Sequence, residues 1–176
     1  MGALDGWRFC PICGEAIEKV EDRAECRACG YVGYANAVPG TEAVCFDAQG
    51  RVLLGRRAYD PRAGLWDLPG GFLHEDELPL DGLRREIREE TALEIEPVAL
   101  AGFREAIVRD AESRVERHFI ILCFAARWRA GEVLLNEELD EARWLEPAEL
   151  ASLPTTAGLA EIVAEAFDRL AAHSNM

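Results

Sequence analysis

Glu77, Glu86, Glu89 and Glu90 fall within one short stretch, GGFLHEDELPLDGLRREIREETAL (residues 70–93), with Arg84, Arg85 and Arg88 set among them. On a helix, Glu86, Glu89 and Glu90 share about 100° of arc at 3.6 residues per turn. Carboxylates so placed repel one another unless a cation sits among them. Mg2+ or Mn2+ suits such oxygen donors, keeps several of its waters, and commonly bridges carboxylates to substrate phosphates. Arg85 and Glu89 are also an i,i+4 pair, so the helix taken alone reads more readily as a solvated face laced by ion pairs.

A second set is sulfur. Cys10, Cys13, Cys26 and Cys29 form two C-x-x-C pairs, CPIC and CRAC, each followed by glycine. Each knuckle offers two sulfurs on one turn, and four thiolates close a tetrahedral zinc site that leaves no open position for a catalytic water. The expected role is structural, because some thirty residues have too little core to fold alone and metal binding supplies the folding free energy. Disulfides fit poorly with a cytosolic chain. A redox C-x-x-C would need a preceding strand, and none is expected before either pair. Cys45 and Cys123 lie in apolar, strand-like runs and read as buried structural thiols.

The elements that must carry these residues follow from periodicity and turn chemistry. GYANAVPG (33–40) has linker composition and places the start of the main domain near Thr41, giving a ribbon over 1–36 and a larger domain over 37–176. TEAVCF and RVLLGRR flank DAQG and predict a hairpin. AYDPRAG is a loop, and LWDLPGGF predicts a short strand that stops at Pro69, Gly70 and Gly71. Pro79 suits the first position of a helix whose stripe is Leu80, Leu83 and Ile87, ending near Thr91 or Ala92. VALAGFREAIV and RHFIILCFAARW predict strands around the polar RDAESRVE (109–116), ARWLE a further short strand, and the stretch from about Gly158 a final amphipathic helix. The class is α+β or mixed α/β.

The totals bound the rest. The chain has 176 residues, 49% apolar and 30% charged, which is a globular composition. No apolar run is long enough to span a bilayer and MGALDGWRFC lacks a signal-peptide layout, so the default compartment is cytoplasmic, with no membrane partner. A formal net charge of −14 disfavours nucleic acid. Residues 1–36 agree: they offer only Arg8, Lys19, Arg23 and Arg27 against six acids. A polyanionic substrate would need divalent metal to approach an acidic site.

Gly71, five residues, Glu77, seven residues, then Arg85-Glu86-Ile87-x-Glu89-Glu90-x-Ala92-Leu93 resembles the Nudix box of Nudix hydrolases. Six fixed positions of this kind match by chance on the order of once in ten million starts. LWDLPGGF and RWLEPAEL resemble the family too, so the likeness covers about Thr41 to Leu153. The family usually has glycine where Ala92 stands, and an altered helix exit is expected there. The resemblance implies an α/β/α sandwich around a mixed sheet, and hydrolysis of a diphosphate joining a nucleoside to another group. It implies that Glu86, Glu89 and Glu90 ligate the catalytic divalent ions (Mg2+ or Mn2+), assisted by the Gly70 carbonyl. Glu77 would support the site, and Arg85 would orient the carboxylates by ion pairing. A further catalytic glutamate in the loop before the late tryptophan would be Glu137, Glu138 or Glu141, and Glu138 fits best by spacing before Trp144.

A zinc ribbon before a Nudix box is similar to the arrangement in NADH pyrophosphatases and some ADP-ribose or FAD pyrophosphatases. The SQPWPFP-type motif that marks NADH selectivity is missing after the box, and only nine residues precede Cys10. The best-fitting substrate is ADP-ribose or a related nucleotide diphosphate derivative. Trp66 or Phe72 could stack on a base, although aromatics beside a strand end more often belong to the core. Arg56 and Arg57 would meet phosphate or cap a strand end. A nucleotide-binding sensor and a zinc-ribbon adaptor for a protein partner are the rival readings, and the family's frequent homodimers make a homodimer possible.

Overall fold

The computed structural model describes residues 3–109 and 116–174, so 110–115 of the polar connector lie outside it. The chain divides into two compact units, Met1–Val38 with Glu105–Phe119, and Pro39–Arg104 with Ile120–Met176.

The first unit holds a 3-10 turn (Ala3–Gly6) and three short strands, β1 (Glu18–Val20), β2 (Arg23–Glu25) and β3 (Val32–Tyr34), in an antiparallel sheet of that order. Its core is small: Leu4, Ile17 and Ala24 with the Cys10 and Cys26 thiols, packed by Trp7 and Tyr31. Contrary to expectation, a strand does precede one knuckle, since β2 ends at Glu25, immediately before Cys26. The next element after Cys29 is strand β3, so the strand–helix context of a redox motif is absent there.

The second unit is built on a sheet ordered β10-β5-β4-β9-β8, with β6 attached to β5 and β7 to β4. These strands are β4 (Val38–Phe46), β5 (Val52–Arg57), β6 (Trp66–Asp67), β7 (Gly70–Phe72), β8 (Glu94–Arg109), β9 (Glu116–Ala130) and β10 (Leu139–Leu145); β8 and β9 run on into the first unit's Glu105–Phe119. The β4–β5 hairpin turns on Asp47–Gly50, where Asp47 Oδ1 accepts the Gln49 and Arg51 N–H groups. β5 pairs antiparallel with β10. A Cβ on Gly40 would meet Ile121, while the Cys123 thiol donates to Glu42, so the contacts advance together along β4 and β9 and the sheet is mixed.

Alternation along the strands supplies two cores. Ala43, Cys45 and Leu53 face helix α1 (Pro79–Thr91) through Leu83 and Ile87. Val44, Phe46, Val52 and Leu54 face helix α2 (Leu159–Ser174) through Leu159, Ile162, Val163 and Ala166. The result is the α/β/α sandwich that the resemblance implied. Cys45 and Cys123 are fully buried, and burial pushes the Cys45 thiol up to about 12, so both are structural thiols.

Four local expectations change. β4 begins at Val38, which shortens the irregular linker to 35–37. Leu80 is exposed and leaves the α1 stripe to Leu83 and Ile87. After Pro69 the chain does not leave the sheet: β7 pairs with β4 where β6 had paired with β5. Finally, α1 leaves through a left-handed residue, Ala92 at φ 58°, whose N–H donates to the Arg88 carbonyl. That is the conformation glycine takes without strain, so the substitution preserves the exit and strains it.

Candidate active site

One glycine lets β7 lie close to β4 and the next lets α1 approach the sheet. Gly70 sits at φ 150°, and a Cβ there would collide with the Thr41 carbonyl and come within 2.7 Å of Glu42 Cα. A Cβ on Gly71 would lie 2.6 Å from Glu86 Oε1, so only glycine leaves room for that carboxylate. Glu90, one turn on, is buried, and its Oε2 accepts the Gly70 N–H at 2.8 Å.

Arg85 organises the outer side. Its Nε and Nη2 donate to the two oxygens of Glu77 at 2.8 and 2.7 Å, its Nη1 to Glu86 at 2.8 Å and Glu89 at 3.1 Å, and its Nη2 to the Phe72 carbonyl at 3.1 Å. Glu77 Oε2 also accepts the His74 N–H. The side-chain hydrogen bond from Arg85 is the main cause that holds the Glu77 carboxyl down to about 2.

The inner carboxylates move the other way. Burial pushes Glu90 up to about 8 against the Gly70 N–H, helped by the charges of Glu138 and Glu86 and opposed by Arg57. Glu86 is raised too, by burial first, against its bonds to Arg85 and with Glu89 and Glu138 adding. A cation seated among these carboxylates would offset both their burial and their mutual repulsion.

Glu138 comes to this cluster through the backbone. The Leu134 and Asn136 N–H groups donate to the Thr91 and Glu90 carbonyls at the end of α1, and the Ala58 N–H donates to the Glu138 carbonyl. Of the three candidates before Trp144, Glu141 is engaged by Arg56 and Arg143, whereas the Glu138 charge bears on both Glu86 and Glu90. Arg57 faces Glu90 electrostatically and donates to the Pro61 carbonyl, and Arg56 is taken up by Asp140. Trp66 is core, with Arg143 over its ring at 5.1 Å, while Phe72 is half exposed.

Sequence reasoning missed two features. Arg104 Nη1 bridges Glu42 and Asp67, each at 2.7 Å, and its Nη2 reaches Thr156 and the Ala157 carbonyl. Burial, with the nearby Asp67 charge, pushes the Glu42 carboxyl up to about 7 against Arg104. No local pattern signals a contact between positions 42, 67 and 104. The other is Thr41, fully buried, whose Oγ1 is the buried side-chain oxygen without a hydrogen-bond partner among the described residues.

In the first unit the four cysteine sulfurs all lie within 4.8 Å of one another, with Cys10–Cys29 and Cys13–Cys26 at 3.6 Å. Zinc–sulfur bonds of about 2.3 Å in a tetrahedron put sulfurs about 3.8 Å apart, whereas a disulfide needs about 2.05 Å. The thiols therefore match a metal site. Among the described residues this is the tight cluster of metal-type ligands; the glutamates gather less closely, with Arg85 Nη1 bonded to both Glu86 and Glu89. An oxygen-only donor set, Glu86 seated in the space left by Gly71, and the orphaned hydroxyl of Thr41, which pairs with Gly71, nevertheless fit a hard divalent ion. Among the described residues no helix is long and apolar enough to cross a membrane.

Comparison with known proteins gives three findings. The NUDIX domain model matches residues 37–166. The NAD-capped RNA hydrolase NudC of Pseudomonas fluorescens (strain Pf0-1) is 28% identical over 165 residues, covering 91% of this chain and 55% of that protein. The chain thus spans about half the length of the curated relatives it matches. Among solved structures, the MutT protein from Methanosarcina mazei Go1 superposes with a TM-score of 0.64 at 26% identity, covering 77% of this chain and 95% of that one. The NUDIX domain of Shewanella oneidensis NrtR, complexed with ADP ribose, gives 0.62 at 25% identity, covering 78% and 90%.

Proposed function

The chain belongs to the Nudix family, whose domain occupies residues 37–166, and on that ground we propose that it is a divalent-metal-dependent pyrophosphatase acting on nucleoside diphosphate derivatives that contain an ADP-ribose moiety. The carrying observation is the placement of Glu86 and Glu90 against Gly70 and Gly71 with the Glu138 charge beside them. ADP-ribose, NAD(H) and an NAD cap share that moiety, and the names of the NudC relatives and of the ADP-ribose-bound NrtR domain support it. The NudC names also withdraw the expectation that nucleic acid plays no part.

Glu86, Glu89, Glu90 and the Gly70 carbonyl would hold the ion. When bound, Mg2+ or Mn2+ neutralises the diphosphate and acidifies a water. The chain's own residues do the rest. Arg85, fixed by Glu77, keeps Glu86 and Glu89 turned to one side of α1. Glu138, on the loop tethered to α1, would take a proton from an attacking water. Cys10, Cys13, Cys26 and Cys29 would hold a structural Zn2+.

The test is turnover of ADP-ribose, NADH, NAD-capped RNA, FAD and nucleoside triphosphates with Mg2+ or Mn2+. At least one ADP-ribose-containing diphosphate is expected to be cleaved, with Glu89→Gln slower by about 100-fold or more. Silence of the wild type across the panel would favour the nucleotide-binding sensor. Equal rates in wild type and Glu89→Gln would remove the site assignment.

A further inference from the structure

Thr41 lies opposite Gly71 in the β4–β7 ladder. Residues directly opposite in an antiparallel pair point to one face, their Cβ positions about 5 Å apart. At Gly71 no side chain takes that position, and the Glu86 carboxylate occupies the space instead. The Thr41 side chain, with its orphaned hydroxyl, and the Glu86 carboxylate therefore lie on one face of the β4–β7 pair, with Glu86 in the space that glycine leaves. Ala43, next on this face of β4, packs with Leu83 and Ile87, so an apolar residue at 41 would suit the α1 side equally well and would strand no polar atom.

We propose that Thr41 is a positioning residue of the divalent-ion site: its hydroxyl hydrogen-bonds across the Gly71 slot into the oxygen shell that Glu86 completes around the ion. The inference rests on the reading that Glu86 and Glu90 hold the ion. A hydroxyl both donates and accepts, so it can meet a carboxylate oxygen or a metal-bound water. Groups that orient a ligand in this way commonly change metal affinity by about 10- to 100-fold.

The experiment titrates the metal-free nucleotide site of the full chain with Mn2+ and follows the free-ion electron paramagnetic resonance signal, with melting temperature measured alongside. Thr41→Val keeps the branched shape and deletes the hydroxyl. It is expected to bind Mn2+ about 10- to 100-fold more weakly while melting, without Mn2+, no lower than wild type, because an unsatisfied buried hydroxyl is gone. Thr41→Ser is expected to restore wild-type affinity. Wild-type affinity in Thr41→Val, or equal weakening in Thr41→Ser, would overturn the assignment; if the valine variant does not fold, Thr41→Ala against Thr41→Ser decides the same point. Tight Mn2+ binding without turnover would sink the proposed activity and leave Thr41 standing. No Mn2+ binding by wild type would sink both.

Discussion

Arg85 donates to three glutamates and a carbonyl, and the partner that holds it most firmly is Glu77, which takes two parallel bonds. Because the folded Glu77 carboxyl is held near 2 and an unperturbed one titrates at 4.5, the ion pair stabilises the fold fully above pH 4.5 and fades as pH falls toward 2. Glu77→Gln should therefore unfold at lower urea than wild type at pH 7, and the two midpoints should converge between pH 4.5 and 2. A deficit that stays constant across that range would mean that shape, not charge, is what Glu77 supplies. The same substitution frees Arg85 to settle more tightly on Glu86 and Glu89, so weaker Mn2+ binding at pH 7 is expected with it.

Helix α1 is positioned by a short list of contacts. Leu83 and Ile87 anchor it to Ala43, Cys45 and Leu53, Glu90 fixes it to Gly70, and the 134–138 loop is tied to its last carbonyls. Each fully buried leucine or isoleucine contributes roughly 1.5–3 kcal/mol, so the helix is held by its apolar face and registered by one carboxylate. Its C-terminus carries the cost of Ala92 at φ 58°. Ala92→Gly should raise the unfolding free energy by about 0.5–1 kcal/mol, the relief of left-handed strain less the added freedom of the unfolded chain. Urea denaturation with an unchanged m-value checks this, and a less stable variant would show that the residue is not strained.

Two units of very different core size share the molecule. The first packs few apolar residues, and two of its buried groups are thiols, so a metal held by the four cysteines would be its main source of stability. Removing zinc with a strong chelator under reducing conditions should abolish a low-temperature transition and leave the main one in place. Hydrogen exchange should then quicken at Ile107 and Phe119, which belong to the same unit as the ribbon, but not at Leu53 or Ile87. A single unchanged transition after zinc loss would contradict the metal's structural role. At this scale the net charge of −14 also matters, since a diphosphate approaches such a surface most readily with its own divalent ions.

Local sequence was enough to settle the helix phase of Glu86, Glu89 and Glu90, the two cysteine knuckles and the β4–β5 hairpin, and the family likeness carried the sandwich class. These depend on spacings of a few residues, and helical periodicity and turn chemistry are encoded within such windows. Tertiary structure was needed to show that Glu141 is engaged by Arg56 and Arg143 while the Glu138 charge bears on Glu90, that Trp66 is core while Phe72 is exposed, that Leu80 leaves the stripe, and that Glu42, Asp67 and Arg104 form one buried network. It also placed Thr41 opposite Gly71. Those are contacts between distant positions, fixed by strand register and by the burial of whole faces. A one-residue slip of β7 against β4 would leave every local motif intact and turn Gly71 away from the face that carries Thr41.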